Sequence, residues 1–500
     1  MIRRVLIANR GEIARRVIRT ARAMGIASVA IYSEPDAGAP HVREADAAEP
    51  VGPAPAAESY LNIGAVIEAA RRSGADAIHP GYGFLSERPE FADACAAAGI
   101  IFVGPPASVI RAMGSKTAAR ATMIEAGVPV VPGETPADQS ATAIATAARK
   151  VGFPVLLKAA AGGGGKGMRI VRGAGELDDA IAAARSEAQR SFGDGTLYVE
   201  RLVERARHIE VQIFGDTHGN VVHVLERDCS LQRRHQKVIE EAPAPRLAPS
   251  VRARLLDAAV AAGKAVGYVS AGTIEFLLEG EGEDARFYFL EMNTRLQVEH
   301  PVTEAVTGLD LVRAQLLVAS GEALPFKQTD VRASGHAIEC RIYAEDARRL
   351  LPQSGKLLAC REPEGDGIRV DAGIVQGQIV TVHYDPLLSK LIAHGSTRAE
   401  AIERMMAALG GYEILGLRHN ISFLMALLRR PEVADARVHT RFIEAHLEEL
   451  AAPPAADLLQ AAAALAAWTA AREDAPSSVA TDEDDLSARD PWSLIRAVRW

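Results

Sequence analysis

The sequence predicts an α/β region at the N-terminus followed by α+β architecture, and three observations predict it. Over residues 1 to about 110, short apolar runs at 5–8, 28–32, 77–79 and 100–103 alternate with helical stretches such as 63–72 and 91–98. That alternation is the pattern of βαβ units in a parallel sheet. Residues 151–200 then read strand, glycine-rich loop, strand, helix, strand. Finally, β-rich runs at 208–214, 273–278 and 287–292 lead into a mixed segment over 335–445.

The elements follow in order. Arg4-Val5-Leu6-Ile7-Ala8 reads as a buried strand, and Gly11-Glu12-Ile13 opens an amphipathic helix. Only one glycine, Gly11, follows that strand, so the fingerprint G-x-G-x-x-G is absent. A Rossmann-like shape is expected, without nicotinamide binding. Gly104-Pro105-Pro106 marks a boundary, after which a helix and then Val128-Pro129-Val130-Val131-Pro132 follow. Past about 447 the chain turns Ala/Pro-rich, then polar and acidic over 473–490, which suggests a helix and a flexible linker.

Composition excludes several classes. The 500 residues are 48% hydrophobic and 24% charged, which suits several globular cores. A formal charge of −8 argues against nucleic acid as a partner, since that needs a basic domain or stripe. No run reaches the roughly 18 apolar residues of a membrane span. The first 22 residues are Arg-rich, but their strand and helix patterns argue against a transit peptide, and a cytoplasmic location is expected. Cys95, Cys229, Cys340 and Cys360 form no C-x-x-C pair and read as separate reduced thiols.

Three constellations carry chemistry. In Val155-Leu156-Leu157-Lys158-Ala159-Ala160-Ala161-Gly162-Gly163-Gly164-Gly165-Lys166-Gly167, a strand ends in a lysine, a glycine run and a second lysine. Glycine lets backbone N–H groups approach a phosphate closely, and the lysines add fixed charge. Gly167 after Lys166 rules out the P-loop pattern. In the second, strand alternation puts Glu291, Asn293 and Arg295 on one face, which Glu275 joins if the two runs pair as a hairpin. Two carboxylates and an amide oxygen are hard ligands suited to Mg²⁺ between phosphates. The third, residues 226–241, is dense in charge and reads equally as a solvated loop or a site, with no interleaved aromatic to favour nucleic acid.

Together these segments resemble the ATP-grasp superfamily, and within it the biotin carboxylases. The specific strings are Gly81-Tyr82-Gly83-Phe84-Leu85-Ser86-Glu87, the glycine loop, Arg233-Arg234-His235-Gln236-Lys237, Glu291-Met292-Asn293-Thr294-Arg295-Leu296-Gln297-Val298-Glu299-His300-Pro301 and Tyr384-Asp385-Pro386-Leu387-Leu388-Ser389-Lys390. The resemblance runs in order over residues 1 to about 446. It implies an ATP-grasp fold with an N-terminal Rossmann-like domain (1–112), an ATP-grasp domain (113–330) with a mobile lid at about 130–204, a mixed C-terminal domain (331–446) and a tail (447–500).

It also implies roles. Lys116 and Lys158 resemble the phosphate lysines, and Gly164 and Gly165 the lid loop that closes over ATP. Glu200, Arg201, Leu202 and Val203 match the adenine hinge, while His208, Gln232 and His235 match ribose-side contacts. Glu275, Glu291 and Asn293 match Mg²⁺ or Mn²⁺ ligands. Lys237, Arg295, Gln297 and the Val298 backbone match the bicarbonate pocket, with Glu299 as general base. Arg341 matches the arginine beside biotin, and Tyr82 lies near that site.

The expected reaction is ATP- and bicarbonate-dependent carboxylation of biotin on a carrier, the first half-reaction of an acyl-CoA carboxylase. Leu296 and the loop wording resemble α-subunits of the propionyl-, methylcrotonyl- or geranyl-CoA type. Such subunits work with a carboxyltransferase β-subunit, in a homodimer or larger complex. No Met-Lys-Met occurs, so biotin is expected on a carrier domain beyond these residues or on a separate protein. The competing expectations are another ATP-grasp carboxylate–amine ligase and an inactive nucleotide-binding scaffold.

Overall fold

The computed structural model describes residues 1–160, 168–234 and 236–451. The first apolar run forms β1 (Arg4–Ile7), the middle of a five-stranded parallel sheet with β2 (Ala27–Ser33), β3 (Ala47–Gly52), β4 (Ala77–His79) and β5 (Ile101–Phe102). The order is β3-β2-β1-β4-β5, so the chain winds outward on both sides of β1. The apolar runs foresaw four of these strands. They missed β3, whose sequence Ala-Ala-Glu-Pro-Val-Gly has little β-propensity and contains a proline that only an edge strand tolerates. Helix Gly11–Ala23 buries Ile13, Ala14, Val17, Ile18 and Ala21. Helix Ile63–Ser73 starts where the Asn62 side chain accepts the Ala65 N–H and stops at left-handed Gly74.

Residues 133–201 form a smaller layered unit. Its antiparallel sheet has the order β6-β9-β7-β8, made of β6 (Gly133–Glu134), β7 (Val155–Ala159), β8 (Arg169–Val171) and β9 (Leu197–Arg201). Helices Ala141–Val151 and Leu177–Phe192 share an apolar core with it, built on Ile144, Leu157, Ile181 and Val199. The residues between β7 and β8 that include Gly164 and Gly165 lie outside the described residues, as do His235 and residues 452–500.

The largest sheet has eight strands. Its first members are β10 (Arg207–Gly215), β11 (Val221–Arg233), β12 (Gln236–Ala242), β13 (Ser270–Glu279), β14 (Arg286–Asn293) and β15 (His336–Tyr343). Past the short β16 (Gly355–Lys356) and β17 (Ala359–Arg361) come β18 (Ile368–Ala372), β19 (Ile379–Val380), β20 (Leu387–Gly395) and β21 (Glu413–Leu415). The order is β14-β13-β10-β11-β12-β15-β20-β18, antiparallel throughout. Residues 226–241 are therefore no solvated loop. They are the end of β11 and most of β12, and most are buried. No described helix is long and apolar enough to cross a membrane. All four cysteines are free thiols.

One loop needs its glycine. Asn9, just past β1, donates Nδ2 to the Pro80 and Tyr82 carbonyls at 2.8 and 2.7 Å. Gly81 between them has φ +62°, and a Cβ there would stand 2.9 Å from Asn9 Nδ2. Gly81→Ala should cost about 1–3 kcal/mol in backbone strain, before any clash with Asn9. A lowered thermal midpoint checks this, and an unchanged one would mean that the loop yields freely.

Candidate functional site

The site is built on the β13–β14 hairpin and its neighbours β10, β11 and β12. Glu275 on β13 lies directly opposite Glu291 on β14, and Thr273 opposite Asn293. Residues opposed in an antiparallel pair point to one face, so the expected carboxylate pair forms. Asn293 Nδ2 donates to Glu275 Oε1 at 2.8 Å. The strand stops at Asn293, so alternation does not place Arg295. The loop brings it there instead, with Nη2 3.4 Å from Asn293 Oδ1. Glu291 is exposed to solvent, yet desolvation by its surroundings and the charge of Glu275 raise its carboxyl above the usual range.

A buried charge cluster adjoins that pair. The Lys237 ammonium contacts Glu210 Oε2 (2.5 Å), Glu275 Oε1 (2.7 Å) and Glu299 Oε1 (2.6 Å). Burial opposes its charge, but the three carboxylates outweigh burial and hold the lysine well above its ordinary value. Glu299 takes Lys237 on one oxygen and Arg341 Nη2 on the other, at 3.0 Å. These cations overcome the effect of burial and keep it ionised, well below the usual carboxylate range. Arg341 also donates Nε to Glu240 Oε1 at 2.6 Å. Glu240 in turn is pushed up to about 7 by burial, against the pull of Arg341. His208 Nε2 stands 3.0 Å from Glu275 Oε2, off the line of a good hydrogen bond, and is raised because that carboxylate outweighs burial.

Ser115 caps helix Lys116–Glu125 and so sets Lys116 in its first turn. Burial and the neighbouring Lys158 lower the Lys116 ammonium. Lys158, at the end of β7, is buried against Glu200 Oε2 at 2.5 Å, which raises it despite burial. At the expected hinge, the Arg201 and Leu202 N–H groups are taken by the Pro132 and Pro154 carbonyls. Among the described residues, the Val203 N–H is left without a backbone partner. Gln232 lies opposite Lys237 across the β11–β12 pair and is buried.

Beyond the cluster, Arg295 donates to Glu87 Oε2 and Gln297 Oε1, both at 2.9 Å. The Gln297 Nε2 and the Tyr82 hydroxyl are buried with no partner among the described residues. An unpaired buried donor is costly, so both suit a polar ligand. Sequence reasoning missed Glu210, Arg227, Glu87 and Glu240. Glu210 was signalled: His208, Glu210 and Gln212 alternate with Ile209, Val211 and Ile213 along β10. Arg227 is fully buried, and its Nε donates to Glu210 at 2.5 Å. The other two had no local signal, because their partners lie about a hundred residues away or more.

The donor set also fits a divalent cation. Glu275 and Glu291 are hard oxygen donors whose mutual repulsion a cation would relieve, and a half-turn of the Asn293 amide presents its oxygen. Two further groups have metal-ligand spacing among the described residues, His208/Glu210/Glu275 and Glu210/Cys229/Glu299. Lys237 already sits on Glu210, Glu275 and Glu299 and supplies their positive charge.

Family models match nearly the whole described chain. They are "Biotin carboxylase, N-terminal domain" at residues 1–110, "Carbamoyl-phosphate synthase L chain, ATP binding domain" at 115–327 and "Biotin carboxylase C-terminal domain" at 339–445. A biotin carboxylase of Halalkalibacterium halodurans is 51% identical over 448 residues, covering 90% of this chain and 98% of that one. This chain belongs to the biotin carboxylases. Among solved biotin carboxylases, the 2-oxoglutarate carboxylase domain of Hydrogenobacter thermophilus, a dimer holding MgADP and bicarbonate, matches with a TM-score of 0.86 at 44% identity. The match covers 91% of this chain and 99% of that one. The mouse mitochondrial methylcrotonoyl-CoA carboxylase subunit alpha is 52% identical over 451 residues, 90% of this chain. The match spans only 62% of that relative's length.

Removing the central ammonium tests the cluster. Lys237→Gln leaves Glu275 without its ammonium and Glu210 and Glu299 with one arginine each, and breaking a buried pair costs about 3–5 kcal/mol. The thermal midpoint should fall, and Mg²⁺ should restore part of the loss. A variant as stable as wild type, with or without Mg²⁺, would contradict the charge-balancing role.

Proposed function

We propose that this biotin carboxylase couples ATP and bicarbonate to carboxylate biotin, and that it does so as the first half of an acyl-CoA carboxylase reaction. The observation that carries this reading is Glu299 held between Lys237 and Arg341, where the acidic pair meets the β15 arginine. A carboxylate–amine ligase has no need of that junction. In this reading Lys116 and Lys158 take the ATP phosphates, and the hinge around Val203 takes the base. Glu275, Glu291 and Asn293 hold the divalent ion, which neutralises phosphate charge when bound. Gly164, Gly165 and His235 keep their proposed roles at the lid and ribose.

Lys237, Arg295, Gln297 and the Val298 backbone bind bicarbonate. Its arrival draws Lys237 away from Glu299, so the carboxylate becomes a stronger base. Glu299 takes the bicarbonate proton as the bicarbonate oxygen bonds to the γ-phosphorus and the bond to ADP breaks. The resulting carboxyphosphate splits into CO₂ and phosphate. Phosphate accepts the biotin N–H proton, and the nitrogen bonds to CO₂. Arg341 steadies the negative ureido oxygen, and Tyr82 borders that pocket.

The proposed partners are a biotin carrier domain or protein and a carboxyltransferase β-subunit, in a homodimer or larger complex. We place the enzyme in the cytoplasm, a reading supported by its free thiols. The divisions 1–112, 113–330, 331–446 and 447–500 are kept as its functional parts.

The test is ADP release with Mg²⁺ and bicarbonate, with and without free biotin, beside Glu299→Gln. Biotin should stimulate turnover strongly in wild type, and the variant should lose about 10²–10⁴-fold. Turnover indifferent to both bicarbonate and biotin would move the chain to another ATP-grasp reaction.

A further inference from the structure

Lys390 is a buried ammonium that the proposed reaction does not use. It is fully buried on β20, directly opposite Arg341 on β15. Opposed residues of an antiparallel pair share a face, so both side chains reach toward the turn between β14 and helix His300–Thr307. Arg341 holds the Glu299 side chain there at 3.0 Å. Lys390 Nζ donates to the carbonyl of the preceding residue, Val298, at 2.8 Å. One rung of the sheet thus grips the same turn twice, once by backbone and once by side chain.

The remaining surroundings of Lys390 come from other parts of the chain. Glu12 of helix Gly11–Ala23 stands 3.2 Å away and Asp371 of β18 4.0 Å away. The ammonium lies 5.9 Å from the centre of the Tyr82 ring. Asp371 is already paired with Arg369 and Arg19, both at 2.7 Å. Neither Glu12 oxygen has a hydrogen-bond partner among the described residues, so Lys390 is its nearest cation without being well aligned to it. An uncharged side chain of similar length would fill the same space. The carbonyl bond and the buried carboxylate are what require an ammonium.

Resting on the proposed bicarbonate reaction, we infer that Lys390 is a positioning residue: it fixes the Val298–Glu299 peptide so that bicarbonate and the base meet in register. It touches no substrate in this arrangement and acts through the turn. The peptide plane is set at its carbonyl, which also sets the direction of the Glu299 N–H and the start of the Glu299 side chain. Loss of the grip frees the turn while Arg341 still tethers the carboxylate. The consequence falls on bicarbonate use, and ATP binding on the far wall is spared.

The experiment compares Lys390→Met, Lys390→Arg and Glu12→Gln with wild type in bicarbonate-dependent ADP release. Hydrogen–deuterium exchange of the peptide covering residues 294–300 is measured alongside. Lys390→Met should lower kcat/KM for bicarbonate about 10- to 100-fold with KM for ATP within about threefold, since a misplacement near 1 Å costs up to about 100-fold. The 294–300 peptide should exchange faster, and Lys390→Arg, which keeps a charged donor, should recover most of the loss. Wild-type bicarbonate kinetics and exchange in Lys390→Met would overturn the inference. If circular dichroism shows that Lys390→Met does not fold, the double variant Lys390→Met, Glu12→Gln, which removes the ammonium together with the carboxylate it would leave unpaired, decides against Glu12→Gln alone. A raised bicarbonate KM with an unchanged ATP KM in the double variant supports the role, and unchanged values for both overturn it. A wild-type chain without bicarbonate-dependent turnover removes the reaction itself, an outcome distinct from either.

Discussion

The Lys237 ammonium, enclosed by Glu210, Glu275 and Glu299, is the interaction on which the rest of the site depends. Carboxylates taken out of water repel one another and lose hydration, and they stay ionised only where cations compensate them. Here the compensation comes from a short hairpin. Lys237 is the second residue of β12, beside β11, and β11 pairs with β10, which carries Glu210. Glu275 arrives on the next strand, β13. Four neighbouring strands therefore share one charge balance, and the sheet order is as much a part of the site as the side chains.

The balance extends outward in both directions. Arg227 backs Glu210 and reaches Gln212, Thr303 and Thr273, so the first helix residues after the turn are tied to the same strands. Arg341 bridges Glu299 and Glu240. Beyond it the next cation, Lys390, is turned to the Val298 carbonyl. Both oxygens of Glu339 and one of Glu240 are buried without a hydrogen-bond partner among the described residues, and burial raises both groups. Glu275 and Glu299 are thus held low by their cations, while burial lifts Glu240 and Glu339.

The smaller sheet works by a different logic. Lys158 and Glu200 neutralise each other at 2.5 Å inside it, and Tyr198 lies alongside with its ring centre 5.7 Å from the ammonium. An anionic ligand must compete with Glu200 for Lys158. The pairing ties Lys158 to the end of β9.

Much of this was legible in the sequence. Period-2 alternation and apolar runs announced β1, β2, β4, β10, β13 and β14, because these strands are buried on one or both faces and say so locally. The opposition of Glu275 and Glu291 was also foreseeable, since a hairpin's pairing is a local matter. The edge strand β3 was not, because its residues have little preference of their own and take their shape from β2. Residues 226–241 were ambiguous for a related reason: a charged segment reads as solvated unless its partners are known. Only the tertiary structure decided that it is buried, by bringing Glu210, Glu299 and Glu345 to its cations from 17 to 112 residues away. Sequence determines what a strand can bury, but charge compensation is set by distance in space, and that distance exists only once the strands have been ordered in the sheet.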